Sequence, residues 1–100
     1  MIQGTTPTET ITVDADLRGW ACYVTIKNGQ SKLTIGGERL TLEYGANKST
    51  ITFTLTQQET LSLSSGTAKV QLRAVRNGTA IATDIQSIKV LPVLQEGVIE

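Results

Sequence analysis

The chain has 100 residues, nine basic and nine acidic, with 39% hydrophobic residues, nine glycines, no histidine and one cysteine. That length suits one domain spanning residues 1–100, and the hydrophobic content is too high for a disordered chain. Balanced charge without a basic block argues against nucleic acid held mainly by its phosphates, and a lone Cys22 excludes an internal disulfide.

The first expected strand is Thr8 to Val13, where Ile11 and Val13 share one face and Thr10 and Thr12 the other. Pro7 precedes it, a position that proline tolerates at a strand start. Asp14-Ala15-Asp16 then reads as a polar turn. Its Asp-x-Asp spacing could open a calcium loop, but the twelve-residue pattern with its glycine and final glutamate is absent.

The second strand is expected from Trp20 to Lys27, with Trp20, Cys22, Val24 and Ile26 facing the core and Ala21, Tyr23, Thr25 and Lys27 facing away. Asn28-Gly29 is a strong hairpin signal, because a type I′ turn needs positive φ at both central residues. With that pair at the centre, Lys27 opposes Gln30, Val24 opposes Leu33 and Cys22 opposes Ile35. Gly36-Gly37 is expected to close a second hairpin, setting Leu33 against Leu40. It is not a phosphate loop, since no Lys-Ser/Thr follows. The strand Arg39 to Tyr44 then buries Leu40, Leu42 and Tyr44.

Thr50-Ile51-Thr52-Phe53-Thr54-Leu55-Thr56 alternates polar and apolar without a break, the mark of a half-buried strand. Thr56 followed by Glu59 is a capping-box spacing, so a short helical turn is expected near residues 57–61, with Leu61 and Leu63 docking on the core. Ala68 to Arg76, Asn77-Gly78 and the return from Thr79 form the last hairpin, pairing Ala74 with Ile81, Leu72 with Thr83 and Val70 with Ile85. Apolar parity then slips to Ile88 and Val90, which predicts a β-bulge or bend near Gln86-Ser87. Pro92 ends regular pairing, and Leu94 to Glu100 is a tail.

About seven antiparallel strands at this spacing predict an all-β, immunoglobulin-like sandwich, with a small barrel as the runner-up. The cysteine pair of antibody domains is missing, as is a tyrosine beside Leu72, where the tyrosine corner would fall.

Four stretches resemble recurring blocks of one family: Gly4-Thr5-Thr6-Pro7-Thr8, the run Thr52 to Thr60, Val70-Gln71-Leu72-Arg73-Ala74 with Gly78 to Asp84, and Leu94-Gln95-Glu96-Gly97-Val98-Ile99. Together they resemble short prophage proteins of Gram-positive bacteria, which are similar in turn to the immunoglobulin-like N-terminal domain of phage upper baseplate proteins. The resemblance covers nearly the whole chain. It implies a structural role in a virion or tail and carries no catalytic residue across.

The residues themselves offer no catalytic set. Without histidine, the common general base and the commonest metal ligand are absent, and one cysteine cannot hold zinc. A glycosidase would need two facing carboxylates drawn from residues that lie in turns or on wet faces. Neither catalytic, cofactor-binding nor metal residues are therefore expected, and no cofactor. Cys22 and Trp20 lie on the core face and read as structural. Tyr23 points the other way, with Ala21 and Lys27, and is a candidate interface anchor. Arg73 and Arg76 flank the last hairpin, and Val75 lies outward beside Arg73, which gives a small mixed patch there. Leu94, Val98 and Ile99 are expected either to cover their own sandwich or to dock on a neighbouring subunit.

The expected function is thus a non-enzymatic structural or adaptor protein acting through protein–protein contacts, with phage structural proteins or further copies of itself as partners. The start of the chain lacks the basic and apolar regions of a signal peptide, and no apolar run has membrane-spanning length. Synthesis in a bacterial cytoplasm, later virion association, and neither nucleic acid nor membrane as partner are the matching expectations. The alternative is a carbohydrate- or cell-surface-binding module, for which Tyr23 and Tyr44 would be the stacking rings.

Overall fold

The computed structural model describes residues 1–99. Its strands are β1 (Thr8–Val13), β2 (Ala21–Asn28), β3 (Ser31–Gly36), β4 (Thr41–Tyr44), β5 (Ser49–Thr54), β6 (Gly66–Arg76), β7 (Thr79–Ala82) and β8 (Gln86–Val90). One 3-10 turn, Gly37–Arg39, and one short helix, α1 (Gln57–Ser62), interrupt them. A three-stranded sheet runs β1-β5-β4, and a larger sheet runs β3-β2-β6-β7, with β8 also on β6. All strand pairs are antiparallel.

That connectivity is an immunoglobulin-like sandwich. β1, β5 and β4 occupy the positions of strands B, E and D, while β3, β2, β6 and β7–β8 occupy those of C′, C, F and G. Ahead of β1, Ile2 forms a parallel bridge to Leu91. Leu91 N–H donates to Met1 O at 2.8 Å and Gln3 N–H donates to Leu91 O at 2.9 Å.

Alternation builds the core. Ile11, Ile51, Phe53 and Leu55 project inward from the first sheet, and Val24, Ile26, Ile35, Val70 and Leu72 from the second; all are buried. The outward positions of the first sheet are almost all threonine. Thr8 pairs with Thr54 and Thr10 with Thr52 across the ladder, their hydroxyls 2.8 and 3.4 Å apart.

The capping box forms as its spacing predicts: Glu59 N–H donates to Thr56 Oγ1 at 3.1 Å, and Thr56 N–H to Glu59 Oε1 at 2.9 Å. Leu63 is buried and Leu61 half-buried. Thr60, which the pattern does not single out, is fully buried and ties the helix to the N-terminal segment. Its Oγ1 accepts from Gly4 N–H at 2.9 Å and donates to Thr5 O at 2.9 Å.

Four local expectations are corrected. The first hairpin turns at Gly29-Gln30, not Asn28-Gly29, so Asn28 opposes Ser31, Ile26 opposes Leu33 and Val24 opposes Ile35. Asn28 is withdrawn from the turn because its side chain is buried and its Nδ2 donates to Thr67 O at 3.3 Å. Gly29, at φ +60, supplies the positive φ alone. The register moves by two residues, so every side chain keeps its face.

Gly36-Gly37 closes no hairpin. Gly36 ends β3 opposite Tyr23, Gly37 at φ +60 starts the 3-10 turn, and the chain crosses to the other sheet, where β4 pairs with β5. Tyr44, expected inside, lies at the end of that edge strand and is 38% exposed, with the Arg18 guanidinium 5.5 Å from its ring centre. Finally, the last return strand divides in two. Ala74 meets Ile81 as expected, but the ladder breaks over 83–85 rather than at Gln86-Ser87. Val70 then meets Gln86, and Ile85 is exposed. Thr83 holds the break: Leu72 N–H donates to Thr83 Oγ1 at 3.1 Å, and Thr83 N–H to Leu72 O at 2.9 Å.

Candidate functional site

The outer face of the larger sheet brings three of the sequence-predicted residues together. Tyr23 on β2 stands directly opposite Arg73 on β6, and Ala21 opposite Val75. Ala82 and Ala80 on β7 continue these two rows. Tyr23 is 46% exposed and Val75 39%. They border a shallow depression of about 280 Å³ whose lining includes Thr25, Lys32 and Thr34. The opposite faces of the same strands carry Val24, Leu72 and Ala74, so a rigid buried layer supports the exposed side chains.

Tyr23 is fixed on its other side by Gly36. A Cβ at residue 36 would stand 2.6 Å from Tyr23 Cδ1 and 2.9 Å from Cε1. The ring edge therefore fills the space that any side chain would need. Such preorganisation lowers the ordering cost of an aromatic anchor when a partner binds.

The tail residues gather elsewhere. Gln57 clamps the tail backbone, donating from Nε2 to Ile99 O at 2.9 Å and accepting at Oε1 from Ile99 N–H at 2.8 Å. Val98 thereby borders an open cleft with Thr6, Thr54 and Gln58. The tail thus lies against its own sandwich through its backbone, while Val98 and Ile99 remain more than half exposed and Leu94 projects fully into solvent.

Other residues singled out by the sequence have structural roles. Cys22 is buried, and burial pushes its thiol pKa up, away from the reactive thiolate. Trp20 lies just before β2, half-buried against the core, and Arg76 stacks over its ring at 4.8 Å. Asp16 Oδ1 accepts from Arg18 N–H at 3.0 Å, closing the polar turn on itself. Among the described residues no group of three or more Cys, Asp or Glu is placed to hold a metal ion. Among the described residues no helix is long and apolar enough to cross a membrane. Tyr23 and Tyr44 lie on different sheets and do not combine into one stacking platform.

Lys27, Lys32 and Lys69 were not expected at the site. They stand in one row across β3, β2 and β6 on the same outward face. The signal that would have found Lys32 opposite Lys27 is the register of the first hairpin, which an Asn28-Gly29 turn hides by setting Lys27 against Gln30, while Lys69 joins the row only through the long-range pairing of β2 with β6.

Neither protein-family models nor curated proteins give a match to this chain.

Proposed function

We propose that the chain is a non-enzymatic structural or adaptor protein that works by protein–protein contact. The observation that carries this reading is the preorganised, exposed pair Tyr23 and Arg73 on a rigid sheet face, flanked by Val75 and alanines. Tyrosine and arginine are the residue types that dominate binding energy at protein interfaces. The exposed tail side chains Leu94, Val98 and Ile99 supply a second contact of the same kind. The sequence blocks quoted above suggest the setting, a phage tail or baseplate, with other phage structural proteins or further copies of the chain as partners. Cytoplasmic synthesis followed by incorporation in the virion fits that setting.

Mass spectrometry of purified particles from an induced lysogen tests the setting, and cross-linking within those particles tests the face. The expected result is the chain in stoichiometric amount, with cross-links from Lys32 and Lys69. A chain that is absent from particles, and that stays a lone monomer at high concentration and in pull-downs, overturns the proposal.

A further inference from the structure

A row of three lysines crosses the outer face of the larger sheet. Lys32 on β3 opposes Lys27 on β2, and Lys27 opposes Lys69 on β6. Directly opposed side chains on one face have Cβ atoms about 4.5–5.5 Å apart, and like charges so placed destabilise the sheet. Arg73 on β6 and Lys89 on β8 point out from the same face. Five of the chain's nine basic residues thus stand exposed on this one surface. No outward strand position of the sheet carries Asp or Glu; Glu38 and Asp84 lie in connecting segments beside it. The molecule has zero net formal charge, so this is segregation of charge rather than general basicity. Retaining opposed like charges costs stability, and local rules are broken most often where function requires it.

We infer that this face docks the acidic surface of a protein partner. The inference rests on the contact role proposed above and names the chemistry of the partner. The face has the composition of such an interface: Tyr23, Arg73 and Val75 form the anchor region, and the lysine row forms a charged rim at one end. Two neighbouring depressions of about 280 and 290 Å³ share Thr25. One is bordered by Lys32 and Arg73, the other by Lys27 and Lys69, so carboxylates entering either meet cations from two strands. A nucleic-acid strand would be held by successive stacking rings along a basic track, and this face offers one ring. A second copy meeting the face by twofold symmetry would press one basic surface on another.

The test is a 15N NMR titration of the full chain with poly-L-glutamate at low salt, with oligo(dT) of equal charge in parallel. The expected result is amide shifts confined to β2, β3 and β6 around Tyr23, Lys27, Lys32, Lys69 and Arg73, suppressed by salt and weakened about tenfold or more in Lys27→Glu/Lys69→Glu. The single change Lys27→Glu replaces two like-charge pairs by opposite-charge pairs, so the free protein should gain about 4 °C in Tm while binding weakens. That combination shows the weaker binding is not a loss of fold. Shifts spread over both sheets, no binding, or a fall in Tm overturn the inference. Tighter binding of oligo(dT) than of poly-L-glutamate overturns it in favour of nucleic acid. If the chain is found in particles and Lys27→Glu/Lys69→Glu is incorporated as well as the parent, the acidic partner is wrong while the contact role stands.

Discussion

The ring of Tyr23 occupies the volume that a Cβ at Gly36 would take, and the two residues are directly paired across β2 and β3. A glycine that looked like a turn residue is therefore a strand residue that makes room for the aromatic. Its backbone is not in a region reserved for glycine, so space and not φ is what the position requires.

Gly36→Ala is expected to displace the Tyr23 ring. The gain from a less flexible unfolded chain offsets part of the steric cost, so the net change in stability should stay within about 1 kcal/mol. The local effect should be large: the aromatic resonances of Tyr23 should move, and poly-L-glutamate affinity should fall. Unchanged Tyr23 resonances in the variant would contradict the close packing.

Much of the sandwich is legible in local pattern. The threonine alternation of residues 50–56, the Thr56–Glu59 cap and the Asn77-Gly78 hairpin appear where their residues place them, because each depends on neighbours within a few positions. What local pattern misses depends on distant partners. Asn28 leaves its turn to bond Thr67, 39 positions away, and the chain after Gly37 changes sheet because β5 supplies an unpaired edge. The candidate site is legible only in part for the same reason. Tyr23, Arg73 and Val75 follow from strand parity, which survives a two-residue slip, whereas the row Lys32–Lys27–Lys69 needs the true register.

Leu72 is fully buried at the centre of the core, on the strand that pairs with β2 on one side and β7–β8 on the other. Leu72→Ala removes its packing and leaves a cavity, for an expected loss of about 3 kcal/mol. For a domain of this size that is a large share of total stability. Urea unfolding checks it. A loss below about 1 kcal/mol would mean that the site is not the core position described.

Thr60→Val keeps the shape of the side chain and removes its hydroxyl. The Gly4 N–H loses its acceptor at 2.9 Å, and the Thr5 carbonyl loses its donor. With the site fully buried, the expected cost is about 1–3 kcal/mol, against less than about 0.5 kcal/mol for a surface threonine. Thr54→Val, whose hydroxyl is exposed on the outer threonine lattice, serves as that control. Hydrogen exchange should show residues 1–6 opening in Thr60→Val, since the lost bonds hold that segment to α1. Equal effects from the two variants would contradict the assigned role.

Glu59 links the helix cap to the 3-10 turn between β3 and β4 and makes stability depend on pH. The Arg39 guanidinium donates to both carboxylate oxygens at 2.6 Å and also to Thr54 O at 3.0 Å. This bidentate bond, opposed by burial and supported by the Thr56 N–H, lowers the Glu59 pKa from 4.5 to about 2. A carboxylate with a depressed folded-state pKa contributes its full stabilisation above the unfolded value and loses it as pH falls through the folded one. The contribution should therefore be constant above about pH 5 and decline between about pH 4.5 and pH 2. Arg39 is partly exposed and solvent screens the pair, so cap and ion pair together should be worth about 1–2 kcal/mol. Glu59→Gln should lower the urea midpoint at pH 7. Because the glutamine cannot titrate, the difference between parent and variant should shrink on acidification and be smallest near pH 2. A difference that stays constant from pH 7 to pH 2 would show that the cap geometry, and not the carboxylate charge, carries the stabilisation.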